Sequence, residues 1–250
     1  MRYFIEVSYQ GQVYHGWQVQ QNASTIQQEI NEALGKYCRC SIETVGSGRT
    51  DTGVHAVQQF CHVDLLNQLD VSMAIHKING ILPPDIAVIN IYQVPDHAHA
   101  RFDAISRSYE YRISRKKDPF LQHKSYYLRE TLDIEEMNEA CKFLIGKKDF
   151  KCFSRVKTSV DNFICTISQA HWEAHNGRYC FYVSANRFLR GMVRTLVGTL
   201  MEIGTGKLTV PQFHAIMKSR DRRAAGRSVP AHGLFLTKII YPEQLLNPDS

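Results

Sequence analysis

The stretch Gly46-Ser47-Gly48-Arg49-Thr50-Asp51-Thr52-Gly53-Val54-His55-Ala56 sets three glycines, one arginine and one carboxylate where neither a helix nor a strand favours them. It reads as an active-site loop. Glycines admit positive φ and the close approach of a ligand, while Thr50 and Thr52 can bond nearby amides and fix the direction of Asp51. A carboxylate held in this way can act as a nucleophile or stabilise positive charge in a reacting group. Arg49 adds a planar set of donors suited to phosphate. His55, the remaining titratable group of the run, is read as structural.

Other chemistries find less support. Ser47 lacks the G-x-S-x-G elbow of a serine hydrolase. The glycine loop matches neither G-x-x-x-x-G-K-[ST] nor G-x-G-x-x-G, and an aspartate in a phosphate cradle would repel its ligand. Seven cysteines, an odd number without a C-x-x-C pair, suggest neither a disulfide framework nor a zinc ribbon and are read as reduced, mostly packed thiols. The eleven histidines show no H-E-x-x-H spacing, so no metal site is expected. No apolar run approaches membrane-spanning length and the first residues alternate at once, so a cytoplasmic protein without membrane attachment is expected.

The net charge of +6 is mild, but its distribution is not. From Arg178 to Arg227, ten Lys and Arg stand against Glu202 and Asp221, a local +8 that exceeds the net charge of the whole chain. Such a field suits a polyanion such as RNA.

The elements that must position these groups alternate between strand and helix. Tyr3 to Tyr9 has a strand period. Ser24 with Gln27 forms a capping box before the stripe Ile26, Ile30, Ala33 and Leu34, with Gly35 as the stop. Strands follow at Val57 to Val63 and Ile86 to Val94, with a helix at Ser72 to Asn79 between them. The second half repeats the recipe: a strand at Ser106 to Ser114, a helix capped by Asp133, and strands at Ile164 to Ala174 and Arg178 to Ala185 joined at Asn176-Gly177. Helices from Phe188 to about Ile203 and from Val210 to about Lys218 precede a closing strand at Leu234 to Tyr241. Tyr109 shares a strand face with Tyr111, which by itself makes it a core tyrosine. Arg187, Arg190 and Arg194 fall on one helical stripe, ordinarily a solvated face. The short turns favour antiparallel pairing, so the pattern gives an α+β fold in two halves meeting near residues 100 to 106, assigned as 1–103 and 104–250.

The loop around Asp51, together with Arg101-Phe102-Asp103-Ala104, Ser108-Tyr109-Glu110-Tyr111-Arg112, Phe188-Leu189-Arg190-Gly191-Met192-Val193-Arg194 and Ala231-His232-Gly233-Leu234-Phe235-Leu236, resembles the tRNA pseudouridine synthase A family. The collinear motifs run from Tyr9 to Tyr241. The resemblance implies two ferredoxin-like halves whose antiparallel sheets join, an active-site cleft between them, and a homodimer that binds tRNA. It implies isomerisation of uridine at positions 38, 39 and/or 40 of the anticodon arm, with Asp51 as the catalytic aspartate and no cofactor, since the reaction involves no redox change. No protein partner beyond the second copy is evident.

The same resemblance assigns Arg49 to the backbone and vacated space of the flipped nucleotide, Tyr109 to stacking on the target uracil, Arg194 to pairing with the catalytic aspartate, and Leu234 to lining the uracil pocket. Asn186-Arg187-Phe188 stands where small residues such as Gly-x-Gly-Phe are commoner. Arg187 and Arg190 are read as RNA-backbone contacts. The competing class is a non-catalytic RNA-binding module using exposed aromatics such as Tyr14 and Trp17. The set Asp51, Tyr109 and Arg194, which binding alone does not require, argues against it.

Overall fold

A computed structural model describes residues 1–155 and 162–246, which divide into two compact units, 1–106 with 235–246 and 107–155 with 162–234. Both are α+β. The first unit opens with β1 (Arg2–Tyr9), followed by α1 (Ile26–Cys38), a two-residue β2 (Val45–Gly46), β3 (His55–Asp64), α2 (Val71–Ile81) and β4 (Ile86–Val94). Strand β1 lies between β4 and β3, antiparallel to both, with Ile5 opposite Cys61 on one side and Ile91 on the other. The strand period seen in the sequence has its physical counterpart here in the burial of Tyr3, Ile5, Val7 and Tyr9, although Phe4 on the other face is buried as well.

Helix α1 buries the stripe Ile26, Ile30, Ala33 and Leu34, as its period requires. Its cap differs from the expected one. Thr25, not Ser24, is the N-cap and accepts from the Gln28 amide, while Gln27 accepts from the Val19 amide and donates to the Thr44 carbonyl. Nor does Gly35 end the helix. The chain runs on to Cys38 and stops at Arg39, which takes the left-handed φ of 55° that a glycine would adopt more cheaply.

The second unit contains β5 (Ser106–Ser114), a two-residue β6 (Tyr126–Tyr127), α3 (Ile134–Lys142), β7 (Gly146–Asp149), β8 (Ile164–His175), β9 (Arg178–Ala185), α4 (Met192–Gly204) and α5 (Val210–Ser219). The order β5-β9-β8-β7 is antiparallel throughout, and β6 adds parallel to β5. Asn176 and Gly177 both have positive φ and join β8 to β9 as a two-residue hairpin. Helix α3 packs on β8, α4 and α5. Helix α4 is buried almost all round, from Met192 through Leu196 and Leu200 to Ile203.

The last strand, β10 (Leu234–Ile240), runs parallel to β3 with Phe235 opposite His55, before the short α6 (Glu243–Leu246). The sequence division at 103/104 assigned this tail to the second half, whereas the structure groups residues 235–246 with the first. Ladder bonds and the Gln58 side chain, which accepts from the Ile239 amide, tie it there.

Candidate active site

Asp51 is half-buried and Arg49 exposed, both in the loop between β2 and β3 of the first unit. The loop is pinned from several directions. Thr50 is buried and its hydroxyl shares a 2.8 Å hydrogen bond with Tyr9, so it bonds across the unit instead of to a neighbouring amide. The Trp17 amide donates to the Thr50 carbonyl at 3.1 Å, and the Val54 amide closes a turn onto the Asp51 carbonyl at 3.1 Å. On the other flank Gln59 accepts from the Ser47 hydroxyl and donates to the Gly48 carbonyl.

The loop's glycines serve unlike ends. Gly53 takes the expected positive φ, 80°, at the turn after Asp51. Gly46 instead leaves room for Trp17, whose indole a Cβ at that position would strike. His55 is structural, as expected. It is buried, its Nδ1 accepts from the Gly11 amide, and its ring stacks on Phe235 at 4.6 Å. Tyr14 and Trp17 are 5% and 2% exposed, so the open aromatic surface expected for a simple RNA-binding module is not made of them.

The second unit holds Tyr109, Arg187, Arg190, Arg194 and Leu234. Tyr109 is half-buried on β5 opposite Val183, and Phe188 meets its ring edge-to-face at 5.1 Å and 88°, which fixes the plane of the phenol. Arg194 lies in the first turn of α4. Its Nε donates to the Val229 carbonyl at 2.7 Å, and its own carbonyl accepts from the Val229 amide at 3.1 Å. Arg194 is thus docked to a neighbouring loop by two bonds, one from its guanidinium and one from its backbone.

Arg187 and Arg190 are not on the helix. α4 begins at Met192 because its N-cap, Gly191, takes φ 72°, a left-handed conformation that ends any helix entering from Phe188. The expected basic stripe therefore breaks between Arg190 and Arg194. The segment before the helix is nonetheless fixed: Asn186 donates its amide to the Thr166 carbonyl and accepts from the Thr166 amide through Oδ1. The Oδ1 bond is what the asparagine side chain contributes at this position. Arg107 donates to the Asn186 carbonyl, and the Arg155 amide donates to that of Arg190.

Leu234 is buried at the start of β10, directly after the 3-10 turn Ala231–Gly233. Sequence reasoning missed the residue that sets this turn. Tyr111, buried beneath it, donates its hydroxyl to the Pro230 carbonyl at 2.9 Å, and burial raises its pKa so that it keeps the proton it donates. A Cβ on Gly233 would come within 2.8 Å of the Tyr111 ring, so tyrosine and glycine are matched. The alternation that marks Tyr111 as core was a correct signal for burial but silent about its hydrogen bond.

All seven cysteines are free, and burial pushes the Cys61 thiol up to about 12. Among the described residues no group of three or more His, Cys, Asp or Glu is placed to hold a metal ion, and no helix is long and apolar enough to cross a membrane.

A family model described as tRNA pseudouridine synthase matches residues 5–103 and 140–242. The chain is 46% identical over 245 residues to tRNA pseudouridine synthase A of Parabacteroides distasonis, covering 98% of this chain and 97% of that one. It is 44% identical over 252 residues to tRNA pseudouridine synthase A of Bacteroides thetaiotaomicron, covering 100% and 94%. For the protein of that name from Porphyromonas gingivalis the identity is 43% over 248 residues, with 98% of each chain covered. The pinned aspartate loop and the docked arginine thus lie within stretches that the family model spans, and the chain belongs to the tRNA pseudouridine synthases, isomerases that convert uridine to pseudouridine in tRNA.

Proposed function

We propose that this chain acts on uridines 38, 39 and/or 40 of the tRNA anticodon arm, as a cytoplasmic homodimer, with Asp51 as the catalytic carboxylate. The observation that carries the reading is the immobilised, half-buried Asp51 turn, braced by Tyr9, Trp17 and Gln59 beside the exposed Arg49. The reaction breaks the N1–C1′ bond, turns the uracil and joins C5 to C1′, while C5 gives up its proton and N1 gains one. A carboxylate serves by attack at C1′ or C6, and one carried on a braced turn meets the reacting carbon without the backbone first losing freedom. Arg49 fills the space left by the extruded nucleotide and takes its phosphate. The Tyr109 ring, its plane set by Phe188, stacks on the uracil, Leu234 lines the base pocket, and Arg194 contributes its positive charge to substrate recognition. Arg187 and Arg190 take RNA phosphates. No cofactor enters the scheme.

Asp51→Asn tests it. The variant should lose tritium release from 5-labelled uridine tRNA while binding tRNA within about threefold of the parent protein, because shape and phosphate contacts remain. Activity above about a tenth of the parent would refute the assignment of Asp51. Mapping pseudouridine in tRNA from cells with and without the gene identifies the positions, and light scattering gives the oligomeric state.

A further inference from the structure

The segment between β5 and β6 carries an aromatic ring that the fold makes no use of. Phe120 is 90% exposed, and among the described residues no ring or cation stacks on it. By contrast Phe102, 73% exposed, is already covered by His99 at 4.3 Å and Arg101 at 5.7 Å.

Phe120 does not wave on a loose loop. It sits in the 3-10 turn Pro119–Leu121, where Asp118 accepts from the Phe120 amide at 2.9 Å and its carbonyl accepts from the Leu121 amide. The Gln122 and Lys124 amides continue the turn. The base of the loop is closed by the β5–β6 pairing and by Arg115, whose amide donates to Gly177 and whose guanidinium donates to Thr131 and lies over Tyr179. Presenting an apolar ring to water on a fixed turn is unfavourable for the free protein and useful for a ligand with a flat apolar face.

The surroundings specify that ligand. Lys116, Lys117 and Lys124 are exposed on the same short segment, against the single carboxylate of Asp118, which is engaged in capping the turn. An aromatic ring amid ammonium groups fits a nucleobase and its flanking phosphates. At its far end the segment reaches the turn before Leu234, the residue proposed above to line the base pocket: the His123 ring lies 6.3 Å from that of His232, two residues before Leu234.

We infer that Phe120 stacks on an unpaired nucleobase of the bound tRNA while Lys116, Lys117 and Lys124 contact the adjoining phosphates. The inference rests on the tRNA reading given above. Filter binding of full-length protein to a tRNA transcript tests it with Phe120→Ala, Phe120→Leu and Phe120→Trp. Loss of one base–aromatic stack weakens binding by roughly fivefold to a hundredfold, so the Ala and Leu variants should fall in that range and the Trp variant should stay within about twofold. Lys116→Ala with Lys117→Ala should shallow the slope of log K against log salt by roughly two units. Thermal unfolding should not change, since the ring packs on nothing.

Binding by Phe120→Ala within about twofold of an active parent would overturn the inference and leave the assigned activity standing. Binding by Phe120→Leu equal to that of the parent would overturn it in favour of a merely apolar contact, and loss of a dimer in Phe120→Ala would overturn it in favour of a protein interface. If the parent neither binds tRNA nor forms pseudouridine, the tRNA reading itself falls.

Discussion

Replacing His62 by Asn should flatten the acid side of the stability curve. His62 lies on β3, 5% exposed, with its ring between Phe4 at 6.1 Å and His99 at 4.6 Å. Its Nδ1 accepts from the Ala100 amide at 3.2 Å, so a proton on that nitrogen would set donor against donor. Burial, followed by the charges of Arg2 and His99, lowers its pKa from 6.5 to about 4, with Asp64 and Asp103 pulling the other way. Because the folded value lies below the unfolded one, the unfolded chain binds more proton in that window. The contribution is present in full above pH 6.5 and is lost as pH falls towards 4.

With those two values the loss between pH 7 and pH 5 is about 2 kcal/mol, out of about 3 kcal/mol if titration runs to completion. Urea unfolding at the two pH values measures it. In a Trp172→Phe background, Trp17 is the remaining tryptophan and reports the unit that holds His62. Asn keeps an acceptor near the Nδ1 position and does not titrate. It should be less stable at neutral pH, through the space left by the ring, yet should lose about 2 kcal/mol less than the parent on acidification. An equal acid loss in both proteins, or a His62 NMR titration near 6.5, would refute the reasoning.

Thr50→Val removes the buried bond to Tyr9 and should cost about 1 to 3 kcal/mol by urea unfolding, with kcat falling more than KM rises if the Asp51 turn that loses its brace carries the proposed catalytic carboxylate. Gly198→Ala would drive a methyl into the Arg227 carbonyl and should cost roughly 3 kcal/mol or more, seen as a lowered thermal midpoint. Gly191→Ala forces a side chain into φ 72° and should cost about 1 to 2 kcal/mol, with Gly191→Asn milder. Neutralising Arg187 or Arg190 should each shallow the salt dependence of tRNA binding by roughly one unit, whereas unchanged slopes would make them solvated surface.

The local chemistry of the chain was legible by itself. Sequence pattern located β4, β5 and β9 to the residue, because strand-forming runs and the turns that bound them are local properties. The hairpin at Asn176-Gly177 followed from two residues that tolerate positive φ. The density of glycine, arginine and aspartate from Gly46 to Gly53 marked the catalytic candidate. What pattern could not supply was everything set by partners distant in sequence. Thr50 turns to Tyr9, 41 residues away, instead of a nearby amide, since a buried hydroxyl takes whichever partner the packing offers. Trp17 and Tyr14 enter the core although their segment looks polar. Arg187 and Arg190 leave the helix because the φ of one glycine is fixed by its surroundings, not by its neighbours' propensities. β10 reads as a strand in any context, but its parallel register beside His55 is a contact across most of the chain, and only the folded unit decides it.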